Sequence, residues 1–190
     1  MSSRPNVYIS PEEYLSIERK SEIRNEYLNG EIFAMVGASR AHNLIVANIT
    51  RELTQQLKGK SCELYPNDMR VRIPATGLYT YPDVVVVCGE PLFEDEHVDT
   101  LLNPTLIIEV LSASTESYDR GKKFSHYQTV GSLIEYLLVT QDECRVEQFI
   151  KQPDAHWLYS DARSPEGILE LVSIQCVLAL KEVYDKVALT

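Results

Sequence analysis

Two stretches, residues 81–88 and 105–111, are almost unbroken apolar runs of strand length, and each carries one carboxylate: Asp83 in YPDVVVVC and Glu109 in TLIIEVL. Apolar side chains at consecutive positions mean that both faces of a strand are covered, so these segments are expected at the centre of a sheet. Taking an unpaired carboxylate out of water is expensive, and each acid therefore needs a partner, a metal or a wet pocket. Taken alone, either acid could be a structural ion pair or sit where a strand ends at a rim. Two acids in neighbouring central strands point instead to a shared site, because a metal ion is a recurrent way to hold close carboxylates together.

The segments around this centre alternate between helix and strand patterns. Ser10-Pro11-Glu12-Glu13 combines an N-cap, a proline at the first helical position and a capping-box acid, which predicts a helix over residues 11–21 with Tyr14, Leu15 and Ile17 on its apolar face. Asn29-Gly30 between residues 26–28 and 31–35 predicts a β-hairpin, since both turn positions tolerate positive φ. Ser39 can cap a helix in which Leu44, Ile45, Ile49, Leu53 and Leu57 recur at helical spacing. Met69, Val71 and Ile73 alternate with Arg70 and Arg72, the pattern of a strand whose exposed face is basic. The acidic stretch 91–103 reads as a solvated connection without chemistry. A helix is predicted over 117–129, strands over 133–140, 144–150, 156–159 and 168–172, and a short helix over 180–187. With no repeat, linker or low-complexity tract, the expectation is a single α/β domain over 1–190 with a mixed central sheet flanked by helices.

Composition narrows the function. The first residues, MSSRPNVYIS, lack the apolar core of a secretory leader, and no apolar run approaches the roughly 20 residues that cross a bilayer. A cytoplasmic protein with no membrane partner is expected. Cys62, Cys88, Cys144 and Cys176 are widely spaced, without CxxC spacing or a nearby histidine, and read as reduced, mostly buried thiols rather than a zinc site. The net charge of −10 speaks against non-specific nucleic-acid binding, which draws its affinity from Lys and Arg. A bridging metal or a local basic surface can still hold a phosphate on an acidic protein.

Among residues beside the two acids, Lys122 and Lys123 on the helix after the Glu109 segment could offer an ammonium to a phosphate. They could equally be a solvated face, with Asp119 placed for an i, i+4 pair with Lys123. His42, near a helix start, could be a base or ligand, and we read it as a capping or packing residue. Tyr127, one turn after Lys123, reads as a packing residue with a polar tip.

Residues 81–86 (YPDVVV), 108–112 (IEVLS) with Ser114-Thr115-Glu116, and Asp119-Arg120-Gly121-Lys122-Lys123, together with residues 26–35 (EYLNGEIFAM) and His42-Asn43, resemble in order and spacing the bacterial "Uma two" restriction endonuclease family, over nearly the whole chain. That family is assigned to the PD-(D/E)xK nuclease superfamily, whose sheet carries an Asp, an acid on the next strand and a lysine two residues later. The resemblance implies a restriction-endonuclease-like core, with Asp83 and Glu109 as catalytic metal ligands. It departs at the lysine, because the residue two beyond Glu109 is Leu111. The family's lysine has moved to the following helix, which maps onto Lys123, with Lys122 as its alternate. Glu26 matches an upstream acid that some superfamily members add to the metal shell, with Glu31 across the hairpin as its alternate.

The function implied is hydrolysis of DNA phosphodiesters with Mg²⁺ or Mn²⁺, whose preference for hard oxygen ligands suits this donor set. A homodimer is expected by analogy with double-strand cleavage by paired sites. The rival readings are a catalytically inactive nucleic-acid or protein-binding module on the same fold, and a metal-dependent hydrolase of a smaller phosphate compound.

Overall fold

The structure, a computed structural model, describes residues 8–35 and 37–189. The leader reading falls largely on residues 1–7 and lies outside them. Helix α1 (Pro11–Glu18) opens on the expected capping box, with Glu13 N donating to Ser10 Oγ and Ser10 N donating to Glu13 Oε2. Tyr14 and Leu15 are buried, but Ile17 is 49% exposed. Glu18 takes the inward position instead, because its carboxylate is fully engaged: it accepts from Asn25 N, Asn25 Nδ2 and Tyr81 OH at 2.8–3.0 Å. The hairpin forms as expected from β1 (Asn25–Leu28) and β2 (Glu31–Ala34), with Asn29 and Gly30 at φ 50° and 94°.

Helix α2 (Arg40–Leu57) is capped by Ser39 and followed by strands β3 (Cys62–Pro66), β4 (Arg70–Ile73), β5 (Leu78–Thr80), β6 (Val84–Cys88), β7 (Thr100–Leu101) and β8 (Leu106–Val110). Helix α3 (Glu116–Tyr118), a π-helical turn (Asp119–Lys123) and α4 (Phe124–Tyr127) run on from one another. The chain ends in β9 (Glu135–Val139), β10 (Val146–Lys151), β11 (Trp157–Ala162), a hairpin of β12 (Ile168–Leu171) and β13 (Cys176–Ala179), and α5 (Leu180–Val183).

A six-stranded sheet in the order β11-β10-β9-β8-β6-β3 carries both apolar runs at its centre. It is mixed: β6 pairs antiparallel with β8, and β8 pairs parallel with β9. Val84, Val86, Ile108 and Val110 pack on one face against α2, the β12–β13 hairpin and α5. On the other face Val85, Val87, Ile107 and Leu138 meet Tyr127 and Val71, Ile73 and Leu78 of a second sheet, ordered β2-β1-β5-β4-β7. Covering on both sides is the physical reason that polar alternation is missing from β6 and β8.

Three further sequence expectations fail. The β4 strand has no exposed basic face, because Arg70 is buried, with Nε donating to Thr100 Oγ1, Nη1 donating to Tyr81 OH and Nη2 2.9 Å from Asp99. The acidic segment is accordingly no plain solvated connection: it contains β7, and Asp95 and Asp99 pair with Arg19 while Glu94 pairs with Arg72. Cys62 and Cys88 are not free thiols. The β3–β6 register sets them directly opposite one another, and they form a disulfide, leaving Cys144 and Cys176 reduced. Among the described residues no helix is long and apolar enough to cross a membrane.

Candidate active site

The β6–β8 ladder ends at the Val84–Ile108 pair. One step further the chain is Pro82-Asp83, and proline has no N–H to continue the ladder. The next donor on β8, Val110 N, is taken by Asp83 Oδ2 at 2.7 Å instead of by a backbone carbonyl. The strand end therefore holds a carboxylate against the strand that bears Glu109. The other oxygen, Asp83 Oδ1, lies 3.1 Å from His42 Nε2 in the first turn of α2.

Glu109 belongs by alternation to the face opposite α2. It is 3% exposed, and its Oε1 accepts from Tyr127 OH at 2.7 Å and lies 3.0 Å from Lys123 Nζ. Lys123 is equally buried and also reaches Glu26 Oε1 at 3.2 Å and Asp119 Oδ1 at 3.6 Å. Glu26, on β1 of the second sheet, further accepts from Thr80 Oγ1. Asp119 and Lys123 stand at i and i+4, a spacing that sets both side chains on one face of the turn, here the inward one. The turn itself is π-helical, a form that recurs at functional sites. Lys122 is left exposed on the outside.

The charges are unbalanced. Burial pushes Glu109 up to about 8, with Asp119 and Asp83 adding to the rise and Lys123 opposing it. Burial also raises Asp119 against the pull of Lys123. Burial disfavours the Lys123 ammonium, but Glu109, Glu26 and Asp119 outweigh it and hold the group well above the ordinary lysine range. One ammonium thus serves several buried carboxylates, and the surplus negative charge would be relieved by a further cation.

Among the described residues no cluster of three or more His, Cys, Asp or Glu forms a ready-made metal cage. What the site offers is a pair of hard carboxylates, Asp83 and Glu109, on adjoining strand ends, with excess negative charge. That donor set fits Mg²⁺ or Mn²⁺ better than a thiophilic metal.

The structure brings Glu26, Glu109 and Lys123 together and sets Asp83 at the neighbouring strand end. Glu26 stands on the other sheet rather than at the rim of the sheet holding Asp83, because β1 pairs with β5 before the chain crosses over at residues 81–83. Glu31 is exposed at the far end of the hairpin. Leu111 is buried in the apolar cluster and offers no charge. Sequence reasoning missed the contact of His42 with Asp83, the inward turn of Asp119 and the hydrogen bond of Tyr127 to Glu109. The i, i+4 relation of Asp119 to Lys123 was a usable signal for the second; the others depend on long-range packing.

The model of the Uma2 family, described as "Putative restriction endonuclease", matches residues 11–180. Two proteins of Synechocystis sp. PCC 6803 are similar: "Uncharacterized protein sll1609" is 37% identical over 158 residues, covering 83% of this chain and 89% of the relative. "Uncharacterized protein slr1290" is 36% identical over 186 residues, covering 98% and 96%. A crystal structure from Anabaena variabilis, described as "a putative nuclease belonging to DUF820", superposes with a TM-score of 0.77 at 19% identity over 95% of this chain and 99% of that one, which shows a shared fold.

Proposed function

This chain belongs to the Uma2 family, and from that premise we propose that it is a divalent-metal-dependent nuclease acting on DNA phosphodiesters, with Asp83, Glu109 and Lys123 as its catalytic residues. The observation that carries the reading is the 3.0 Å approach of Lys123 Nζ to Glu109 Oε1, from a helix rather than from the position two residues after the acid, which Leu111 fills. That approach supports reading Lys123 as the counterpart of the superfamily's lysine despite its different place in the sequence.

Asp83 and Glu109 would hold the ion. Glu26, expected as a third ligand, is engaged by Lys123 and Thr80 and is read here as the anchor of the lysine. A bound Mg²⁺ or Mn²⁺ supplies Lewis acidity toward a phosphate and a water of lowered pKa. Lys123 donates toward the negative charge that grows on the phosphate oxygens, and its buried position makes that donor pre-oriented. Tyr127 fixes the Glu109 carboxylate through its O–H.

A second reading, a catalytically silent binding module, is favoured by one observation: Lys123 already provides a cation to Glu109, Glu26 and Asp119. Calorimetric titration with Mn²⁺, with and without duplex DNA, separates the readings. The nuclease reading expects Mn²⁺ binding that is lost in Asp83→Asn, together with DNA binding. Metal binding without DNA binding would point to a hydrolase of a smaller phosphate compound, and neither would point to the silent module.

A further inference from the structure

His42 is more than a capping residue. Asp83 is gripped at both oxygens from two different elements: Oδ2 accepts from Val110 N on β8 at 2.7 Å, and Oδ1 lies 3.1 Å from His42 Nε2 on α2. The two side chains are only 13% and 17% exposed, so little water competes for the contact. The position of His42 is itself fixed. Ser39 Oγ accepts from His42 N at 3.0 Å and donates to Gln141 Oε1 at 2.5 Å, and Gln141 Nε2 donates to Leu111 O at 2.7 Å. The start of α2 is thus tied to the chain just beyond Glu109.

The other ring nitrogen, Nδ1, is inaccessible and has no hydrogen-bond partner. A proton there would strand a buried donor, whereas a lone pair there leaves the proton on Nε2, facing the carboxylate. The ring is therefore oriented as a donor to Asp83.

We propose that His42 is a positioning residue that holds the Asp83 carboxylate in place for a divalent cation shared with Glu109; the proposal rests on the metal-site reading above. A carboxylate fixed from both sides loses less conformational freedom when the ion binds. Hydrogen-bonding partners of metal ligands typically change affinity by about 10–100-fold when removed.

The test is Mn²⁺ titration calorimetry of the parent, His42→Ala, His42→Gln and Asp83→Asn, each checked for folding by circular dichroism. Gln can place an N–H near the site of Nε2 without an imidazole, which keeps the test valid if the alanine variant folds poorly. The expected result is a Kd raised about 10–100-fold in His42→Ala, mostly restored in His42→Gln, and no binding in Asp83→Asn. Parent-like affinity in His42→Ala, or no recovery in His42→Gln, with Asp83→Asn still inactive in binding, would overturn the role of His42 alone. Absent Mn²⁺ binding by the parent, or undiminished binding by Asp83→Asn, would overturn the metal site and the proposal with it.

Discussion

The Lys123 ammonium lies 3.2 Å from Glu26 Oε1 and so fastens the helix that follows β8 to a strand of the other sheet. The same ammonium serves Glu109 and Asp119, so one buried cation links carboxylates from three separate parts of the chain. Stability and chemistry are therefore joined at this residue.

Lys123→Ala should be costly to the fold. Removing one partner of a buried ion pair strands the others and typically costs about 3–5 kcal/mol. Lys122, exposed on the same turn, should tolerate alanine within about 0.5 kcal/mol. Urea unfolding of the two variants checks this, and added Mn²⁺ should return part of the loss in Lys123→Ala. Equal midpoints for Lys123→Ala and the parent would contradict the buried-cation account.

Asp99 links acid stability to the α1–β4 junction. The hydrogen bond from Arg19 holds its carboxyl well below the ordinary carboxylate range, against the opposing effect of burial and with further help from Arg70. A carboxyl lowered in the folded state contributes fully above its unfolded pKa of about 4 and loses that contribution as pH falls toward the folded value. Asp99→Asn should be less stable than the parent at pH 7, with the gap narrowing progressively below about pH 4. A gap that is constant across this range by thermal unfolding would show that the pairing is not the cause.

The Cys62–Cys88 disulfide closes a loop with a sequence separation of 26. The chain-entropy model gives about 3–4 kcal/mol for a loop of that size. Unfolding in dithiothreitol should show a stability lower by this order, and Cys62→Ser/Cys88→Ser should match the reduced parent. No difference between oxidised and reduced protein would mean that the bridge constrains nothing.

Ser39 caps α2 and also donates to Gln141. Ser39→Ala should destabilise by about 1 kcal/mol, the usual cost of a lost N-cap. Ser39→Asp should recover most of the stability, since a carboxylate can accept from His42 N. A Ser39→Asp variant no more stable than Ser39→Ala, measured by thermal unfolding, would show that the cap is not what the serine contributes.

The central strands, the hairpin at Asn29-Gly30 and the capped helices were legible in the sequence because each has a local signature: unbroken apolar runs, a positive-φ turn pair, and Ser with its helical periodicity. Asp83, Glu109 and Lys123 could be singled out because carboxylates within apolar runs are costly and because the resemblance covered those positions. Local pattern failed where charge was neutralised at a distance. Arg70 alternates like a surface residue, yet it is paid for by Asp99 and Tyr81, and Glu18 lies inward because Asn25 and Tyr81 donate to it. Ile17 and Glu18 thus exchanged the places that hydrophobicity alone would give them. The cross-strand cysteines escaped for a related reason, since nothing local sets the β3–β6 register.

The central claim, that Asp83 and Glu109 with Lys123 form a metal-dependent nuclease site, is tested most directly by nicking of supercoiled plasmid DNA with and without Mn²⁺. The account predicts Mn²⁺-dependent nicking by the parent, most of that activity in Lys122→Ala, and none in Asp83→Asn or Glu109→Gln when both are folded. No Mn²⁺-dependent nicking by the parent, or nicking by folded Asp83→Asn and Glu109→Gln at the parent's level, would contradict it.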